Sequence, residues 1–410
     1  MKPNFQICYK YRNTTDDDIE LWFSKPKECR TQMNISIQSN MDPENTNEHP
    51  FLNSLWYFNL KPKEKLKVVI QYHGSLVNQY NIDELSEEEK KFFLRSTKLV
   101  PINEEIKRKA EIIIGDAQTD LEKAEKIFKH ITRTYKYSTR FNARGVYNFL
   151  NKRKGDCGEF AALFCSYCRS IGIPARILYG TWTLKKFSPH SWTEIYLDGQ
   201  GWIPVDPSMG RIKLYYHPLL YISTSIYYGA FSNKNRYFGN HEGKRFAFSI
   251  DPERELIPNY KDVVNIPPQA LRNNINERAI AWGFESFDGN APFLQPVYIK
   301  IHSKNIKVTN KLLFGNWKGK YLQWYDNLTY IIKTGSFTLG FVLIYFEIIN
   351  EYFTQQQLIS LILPLFSTPL ILMGTFLSFI RKETNFLINI LGINFLFYFI
   401  GLLGSYLGIN

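Results

Sequence analysis

A chain of 410 residues is too long for one compact core and leads us to expect two or three domains. Its 50 basic against 38 acidic residues leave a net charge of +12, which suits anionic lipid or acidic substrates, yet the basic residues are scattered and no zinc-finger, RNP or P-loop pattern accompanies them, so no nucleic acid is expected as partner. Five cysteines and a start, MKPNFQICYKYRN, without the apolar run of a secretory signal speak against a disulfide-built secreted scaffold and for a reducing compartment.

Residues 1–80 read as an antiparallel β-sandwich. FQICYKYRN, IELWFSK, MNISIQS, SLWYFNL and LKVVIQYHGSLV are short, rich in β-branched and aromatic residues, and parted by turn-forming stretches such as NTTDDD and NMDPENTNEHP. A module of this kind shields an edge, orients a neighbouring enzyme or binds a partner, the first two being the more ordinary uses. Helices open a second region, 81–257. IDELSEEEKKFFLRST, NEEIKRKAEIIIGDA and TDLEKAEKIFKHITRTYKY show apolar residues at three- and four-residue spacing behind the capping residues Asp83, Asn103 and Thr119.

Chemistry becomes arguable at KGDCGEFAALFCSYCRSIGIPAR. Asp156 can cap a helix, Gly158 permits close approach of backbone, and the apolar run closes at Gly172 with Pro174 just beyond. Cys157 therefore falls at a helix N-terminus, where unpaired N–H groups and the positive end of the macrodipole favour thiolate over thiol. The same N–H groups can hold a developing oxyanion. On its own, a cysteine at a helix start is more often a packing residue. Cys165 and Cys168 form a C-x-x-C pair, but in mid-helix, on the face shared with Ala161, Phe164 and Ile171, so a core role is expected rather than redox or zinc chemistry.

After Pro174, ARILYGTWTL, HSWTEIYL and GWIPVD read as strands, the last two joined through LDGQG into a hairpin. His190 opens one arm and Asp206 ends the other, which makes them expected cross-strand neighbours within hydrogen-bond reach. A helix bearing Cys157 packed on that sheet would complete a nucleophile, a base and a carboxylate that orients the base. Separately, His190 reads as a structural histidine and Asp206 as a turn residue before proline. Their joint placement at the open ends of consecutive elements favours catalysis.

The order GDCGEFAALFCSYCRSIGIPARILYG, HSWTEIYL, GWIPVDPS closely resembles the transglutaminase-like superfamily, specifically over residues 155–208. The likeness extends from about 85 to 257, where RYFGNHEGKRFAFSIDPERELI is similar to the continuing sheet of bacterial members. The resemblance implies an α+β catalytic domain with a papain-like Cys-His-Asp core in which Cys157 attacks a carbonyl, His190 takes and returns the proton, and Asp206 holds the imidazole. It further implies a protein or peptide substrate in a bacterial, membrane-anchored protein; no cofactor and no metal are expected, since no acidic calcium loop is present. Members include protein cross-linkers, proteases, peptide N-glycanases and proteins without known reaction. The expected function is a cysteine enzyme of amide bonds that forms a thioester and resolves it by hydrolysis or by transfer to an amine; the alternative is a catalytically inactive scaffold or binding module. Tyr137, Tyr147 and Asn148 are candidates for a second oxyanion donor, and Trp192, beside His190, is either a pocket wall or a core residue.

Residues 258–328 contain a short polar helix and a strand, expected to pack back on the catalytic domain before KGKYLQWYDNLTY leads to the bilayer. Residues 329–410 read as three membrane spans. Leu358–Ile380 and Phe386–Ile409 are uncharged and each reaches the roughly 20 residues a crossing helix needs. The first, TYIIKTGSFTLGFVLIYFEII, holds Lys333 and Glu347, which would have to lie near the interfaces, and no intramembrane charge cluster is apparent. Lysines crowd the approach to the first span, EYFTQQQ after it has none, and RKET joins the last two. By the positive-inside rule the catalytic domain lies on the cytoplasmic side of the cell membrane and the C-terminus outside.

Overall fold

Alternation of apolar and polar residues sets the N-terminal strands. In a computed structural model that describes residues 2–74, 84–97, 99–138, 145–183, 189–213, 215–228, 237–251, 256–258, 296–302 and 309–407, β1 (Phe5–Arg12) buries Phe5, Ile7, Tyr9 and Tyr11. Its antiparallel partner β6 (Lys65–Gly74) buries Leu66, Val68, Ile70 and Tyr72 in the same rhythm. Each such aliphatic side chain removed from water contributes about 1.5–3 kcal/mol. With β2 (Ile19–Lys25), β3 (Gln32–Ser39), β4 (Asn45–Asn47) and β5 (Ser54–Leu60) they build two sheets. Tyr9 and Phe23 meet between these sheets at 5.6 Å, and Trp317 stacks on Phe23 at 5.8 Å.

Two later strands close these sheets, and this corrects the expectation that residues 258–328 pack on the catalytic domain. β13 (Val297–Ile301) pairs with β2, and β14 (Asn316–Tyr321) lies beside β1. The orders are β14-β1-β6-β3 and β13-β2-β5-β4. An open edge presents a row of unpaired N–H and C=O groups, and strands from the far end of the chain satisfy it. The polar helix expected before β13 lies outside the described residues. A short helix, α8 (Asn310–Phe314), precedes β14.

The helices of the second region are α1 (Glu87–Phe93), α2 (Glu104–Ile114) and α3 (Asp120–Thr134). Asn103 and Thr119 cap as expected, whereas α1 is capped by Ser86, whose side chain accepts from the Glu89 N–H; Asp83 lies outside the described residues. After α4 (Val146–Lys152) and the short parallel pair β7 (Lys136–Tyr137) and β8 (Lys154–Gly155) comes α5 (Cys157–Ser170), which packs on an antiparallel sheet of order β11-β10-β9-β12. Its strands are β9 (Ala175–Trp182), β10 (Pro189–Leu197), β11 (Gly201–Val205) and β12 (Arg245–Ile250), with α6 (Pro207–Arg211) directly after β11.

Among the described residues, no strand lies beside the outer edge of β12. Side chains of the N-terminal sheets replace one: the Gln32 amide accepts from Ala247 N–H at 2.6 Å and donates to Ala247 C=O at 2.8 Å. Asn53 accepts from Ile250 N–H at 2.7 Å, and Asn53 and Ser24 both donate to the Phe248 carbonyl. All these elements belong to one unit, Met1–Arg211 with Tyr237–Lys320.

A second unit comprises Ile212–Arg236 and Tyr321–Asn410. It holds α7 (Pro218–Tyr228), α9 (Trp324–Ile349) continued by a π-helical turn (Asn350–Thr354), α10 (Gln357–Ile380) and α11 (Phe386–Leu407). The last three helices are long and apolar enough to cross a membrane. Lys333 is buried in the protein: its ammonium pairs with Glu383 of the short α10–α11 connection, and Arg381 Nε binds the same carboxylate at 2.7 Å. A charge cluster is therefore present inside the bundle, where an opposite charge placed fifty residues downstream neutralises the lysine.

Candidate active site

Asp156 decides where α5 begins. Its carboxylate accepts from the Gly158 N–H at 2.8 Å, and the Glu159 side chain reaches back to the Asp156 N–H at 3.2 Å. This capping box makes Cys157 the first residue of the helix. Residue 155 must be glycine, since a Cβ there would come within 2.9 Å of both Phe149 and Glu159. Tyr137 lies opposite Gly155 in the β7–β8 pair, two positions ahead of Cys157. Tyr147 is half exposed and its hydroxyl accepts from Asn103 at 2.8 Å, while Asn148 is half-buried on α4.

His190 and Asp206 are brought together: Nε2 lies 2.6 Å from Oδ2, with 6% and 2% of the two residues exposed. They are not directly opposite, as the hairpin alone suggests. Thr193 faces Val205, so Asp206 falls level with Trp192 and reaches His190 diagonally. The imidazole lies 5.0 Å from the Trp182 ring and stacks at 6.2 Å on Trp192. Trp192 is fully buried and packs with Cys29, Leu178 and Ala247, which makes it a core residue. Its ring passes so close over β9 that a Cβ on Gly180 would meet it at 2.6 Å.

The sequence V-D-P-S-M explains the attitude of Asp206. Proline suits the first position of α6, and the residue before it caps the helix. Oδ1 accepts from Met209 N–H at 2.9 Å and from Ser208 Oγ at 2.8 Å, and Oδ2 accepts from His190 and from Arg245 Nη1 at 2.7 Å. Burial opposes ionisation of this carboxyl, but the charges of His190 and Arg245 and these hydrogen bonds outweigh it and hold Asp206 far below the usual carboxylate range. An ionised carboxylate only accepts, so Nε2 carries the proton in this bond and Nδ1 is the imidazole's other working nitrogen.

Arg245 is the residue that sequence reasoning missed. It is fully buried at the start of β12, forks onto Glu242 (Nε–Oε1 2.5 Å, Nη2–Oε2 3.0 Å), binds Asp206 and lies over Trp182 at 4.5 Å. Glu242 and Arg245 stand three apart in GNHEGKRF, the one signal in the letters that they pair. His241, next to them, is pushed well below its ordinary pKa by burial and by the Arg245 charge, and stays neutral. Cys165 and Cys168 are buried free thiols whose pKa values burial raises, in keeping with a packing role.

A helix opening on a cysteine, packed against an antiparallel sheet that ends in a histidine–aspartate pair, defines a class of cysteine-centred α+β domains. Residues 107–207 match the family profile of the transglutaminase-like superfamily, and the chain carries a domain of that superfamily. A peptide-N(4)-(N-acetyl-beta-glucosaminyl)asparagine amidase of Oryza sativa subsp. japonica is 42% identical over 86 residues, covering 20% of this chain and 17% of the relative. A protein-glutamine gamma-glutamyltransferase of Pseudomonas aeruginosa is 33% identical over 78 residues, 16% of this chain and 12% of the relative. The chain thus spans less than a fifth of the length of these curated relatives. Among solved structures, the periplasmic domain of TgpA from Pseudomonas aeruginosa aligns with 51% of this chain and 88% of that one, at 13% identity and a TM-score of 0.32.

Proposed function

We infer that the protein is a membrane-anchored cysteine enzyme acting on the amide bonds of protein or peptide substrates through Cys157, His190 and Asp206. The observation that carries this reading is the 2.6 Å bond between buried His190 and Asp206, on the sheet against which the Cys157 helix packs. The family match and the curated relatives, whose names specify an asparagine amide in one case and a protein glutamine in the other, support a side-chain carboxamide as the acyl donor.

The Cys157 thiolate attacks the amide carbon, and the carbonyl oxygen becomes an oxyanion facing the first N–H groups of α5. Tyr137 is the candidate side-chain donor to that oxyanion. His190 Nδ1–H protonates the leaving nitrogen as the C–N bond breaks, giving a thioester and free amine or ammonia. Neutral His190 then takes a proton from the second nucleophile as it attacks the thioester and expels the thiolate. Water gives a carboxylic acid and an amine gives a new amide; hydrolysis is favoured because water is always at hand whereas transfer requires a site for the amine. Asp206 steadies the imidazolium in both halves. The lysine-rich approach to the first span and the Arg381–Lys382 pair support a cytoplasmic side for this domain.

The test is alkylation by iodoacetamide followed by peptide mass spectrometry of Cys157. Wild type should react well below about pH 8 and the His190→Ala variant should lose that reactivity. Equal rates in both would overturn the catalytic reading and leave an inactive scaffold. Release of ammonia from glutaminyl peptides, with and without an added amine, separates hydrolysis from transfer.

A further inference from the structure

Residues 218–228 lie, by sequence, between Asp206 and Arg245, yet helix α7 belongs to the bundle unit and not to the catalytic sheet. Its eleven residues reach about 16 Å, roughly half the thickness of a hydrocarbon core. Ile226 packs with Phe337 of α9 and Ile371 of α10, and Ile222, Phe341, Ile344 and Phe395 surround that cluster. These partners sit in the interior turns of three helices long enough to cross a membrane, so α7 runs along their apolar midsection and its last turn reaches toward the end where α10 and α11 are joined.

Most side-chain hydroxyls of α7 are bonded in the way an element in lipid requires, the buried Ser225 Oγ being the exception. Ser223 and Thr224 bond back to the Leu220 carbonyl at 3.0 and 2.7 Å, and Tyr227 shares a 2.8 Å hydrogen bond with Thr338. The Ile226 carbonyl, in the last turn, accepts from Lys333 Nζ at 2.8 Å, and Glu383 balances the charge. The last turn of α7 thus ends on a buried, charge-balanced ammonium at the level of the α10–α11 connection and not on bulk water, as the C-terminus of an embedded helix requires. The start of the helix is apolar and open: Leu219 is 83% exposed, and Tyr215, just ahead of the helix, is 88% exposed.

We propose that α7 is a fourth bilayer-embedded element, a half-helix that enters the membrane without crossing it, with Leu219 against phospholipid acyl chains. This rests on the reading of α9–α11 as membrane spans. The buried Lys333–Glu383 pair is the cap of this half-helix.

The experiment places an NBD label on single cysteines in the full chain, in a Cys8→Ser/Cys157→Ser background whose remaining thiols are buried. The chain is reconstituted into phosphatidylcholine–phosphatidylglycerol vesicles with and without doxyl-labelled phosphatidylcholine. Leu219→Cys is compared with Phe397→Cys on α11 and with Ile112→Cys on α2, both also strongly exposed. The proposal expects blue-shifted emission and loss of intensity to the doxyl lipid, not to iodide, at 219 and 397, and the reverse at 112. Iodide quenching at 219 with doxyl quenching at 397 overturns the half-helix while leaving the spans intact. Protection of 219 from both quenchers overturns it in favour of a second copy or another protein covering that face. Absence of doxyl quenching at 397 as well overturns the membrane reading itself.

Discussion

Replacing Arg245 by methionine removes the cation from a site where two carboxylates depend on it. Glu242 and Asp206 are both nearly inaccessible, with side-chain exposures of 1% and 2%, and the guanidinium is fully buried. Breaking a buried ion pair on one side costs about 3–5 kcal/mol, because the partner stays buried without compensation. For a domain of this size that corresponds to a fall in melting temperature of roughly 6–20 °C. Asp206 keeps three of its four donors in the variant, so its carboxyl rises but remains stabilised as the anion. The sign follows: a carboxyl held low in the folded state stabilises fully above its unfolded value of about 4 and loses that stabilisation as pH falls through the folded value. The Met variant has less of it to lose, so the gap between wild type and variant should be widest at neutral pH and narrow below about pH 4. Lysine restores the charge but not the fork that serves Glu242 and Asp206 together, nor the planar stacking on Trp182, and should recover only part of the loss. Tryptophan-fluorescence melts of the full chain in detergent across pH read this directly. A melting point for Arg245→Met within the error of wild type at pH 7, or a gap that stays constant on acidification, would refute the reasoning.

Asp156→Ala should cost about 0.5–2 kcal/mol through loss of the α5 cap, seen in the same melts, and should slow iodoacetamide capture of Cys157 because the helix start frays; unchanged capture would mean that the cap does not set the thiol. Cys165 and Cys168, buried and with raised thiol pKa values, should stay unmodified by iodoacetamide at pH 8 in the native protein and react once it is denatured, which peptide mass spectrometry resolves. Lys333→Met should destabilise the bundle by about 3–5 kcal/mol by stranding Glu383 with Arg381 alone, and Lys333→Met/Glu383→Gln should recover most of it, as measured by detergent-resistance melts.

What the letters disclosed was whatever repeats locally. The strands of the sandwich show period-two burial, Asn103 and Thr119 sit at helix starts, and D-C-G-E carries both the cap and the cysteine at the helix start that is the candidate nucleophile. What they hid depends on partners distant in the chain. β13 and β14 look like isolated strands until the open edges of β2 and β1 are known. The partner of Lys333 is hidden because Glu383 is fifty residues away. Arg245 opens a strand whose other residues, Ser249 apart, are apolar, and no local pattern says that its side chain turns inward. α7, at eleven residues, is too short for any hydropathy window that detects spans and was absorbed into the catalytic region.

One mechanical route between the sandwich and the candidate site runs through β12. β12 is held on its inner side by β9 and on its outer side by the amides of Gln32 and Asn53, so the N-terminal sheets act as the missing neighbour of an edge strand. The first residue of β12 is Arg245, which meets the same Asp206 oxygen that receives the His190 proton. A shift of β12 therefore moves the guanidinium and changes the field on the carboxylate, while the bond from Asp206 to Met209 N–H keeps the other oxygen fixed to α6. The β region, for which the sequence suggests edge shielding or orientation, thus covers the edge of β12 and holds the strand whose Arg245, with His190, keeps Asp206 ionised.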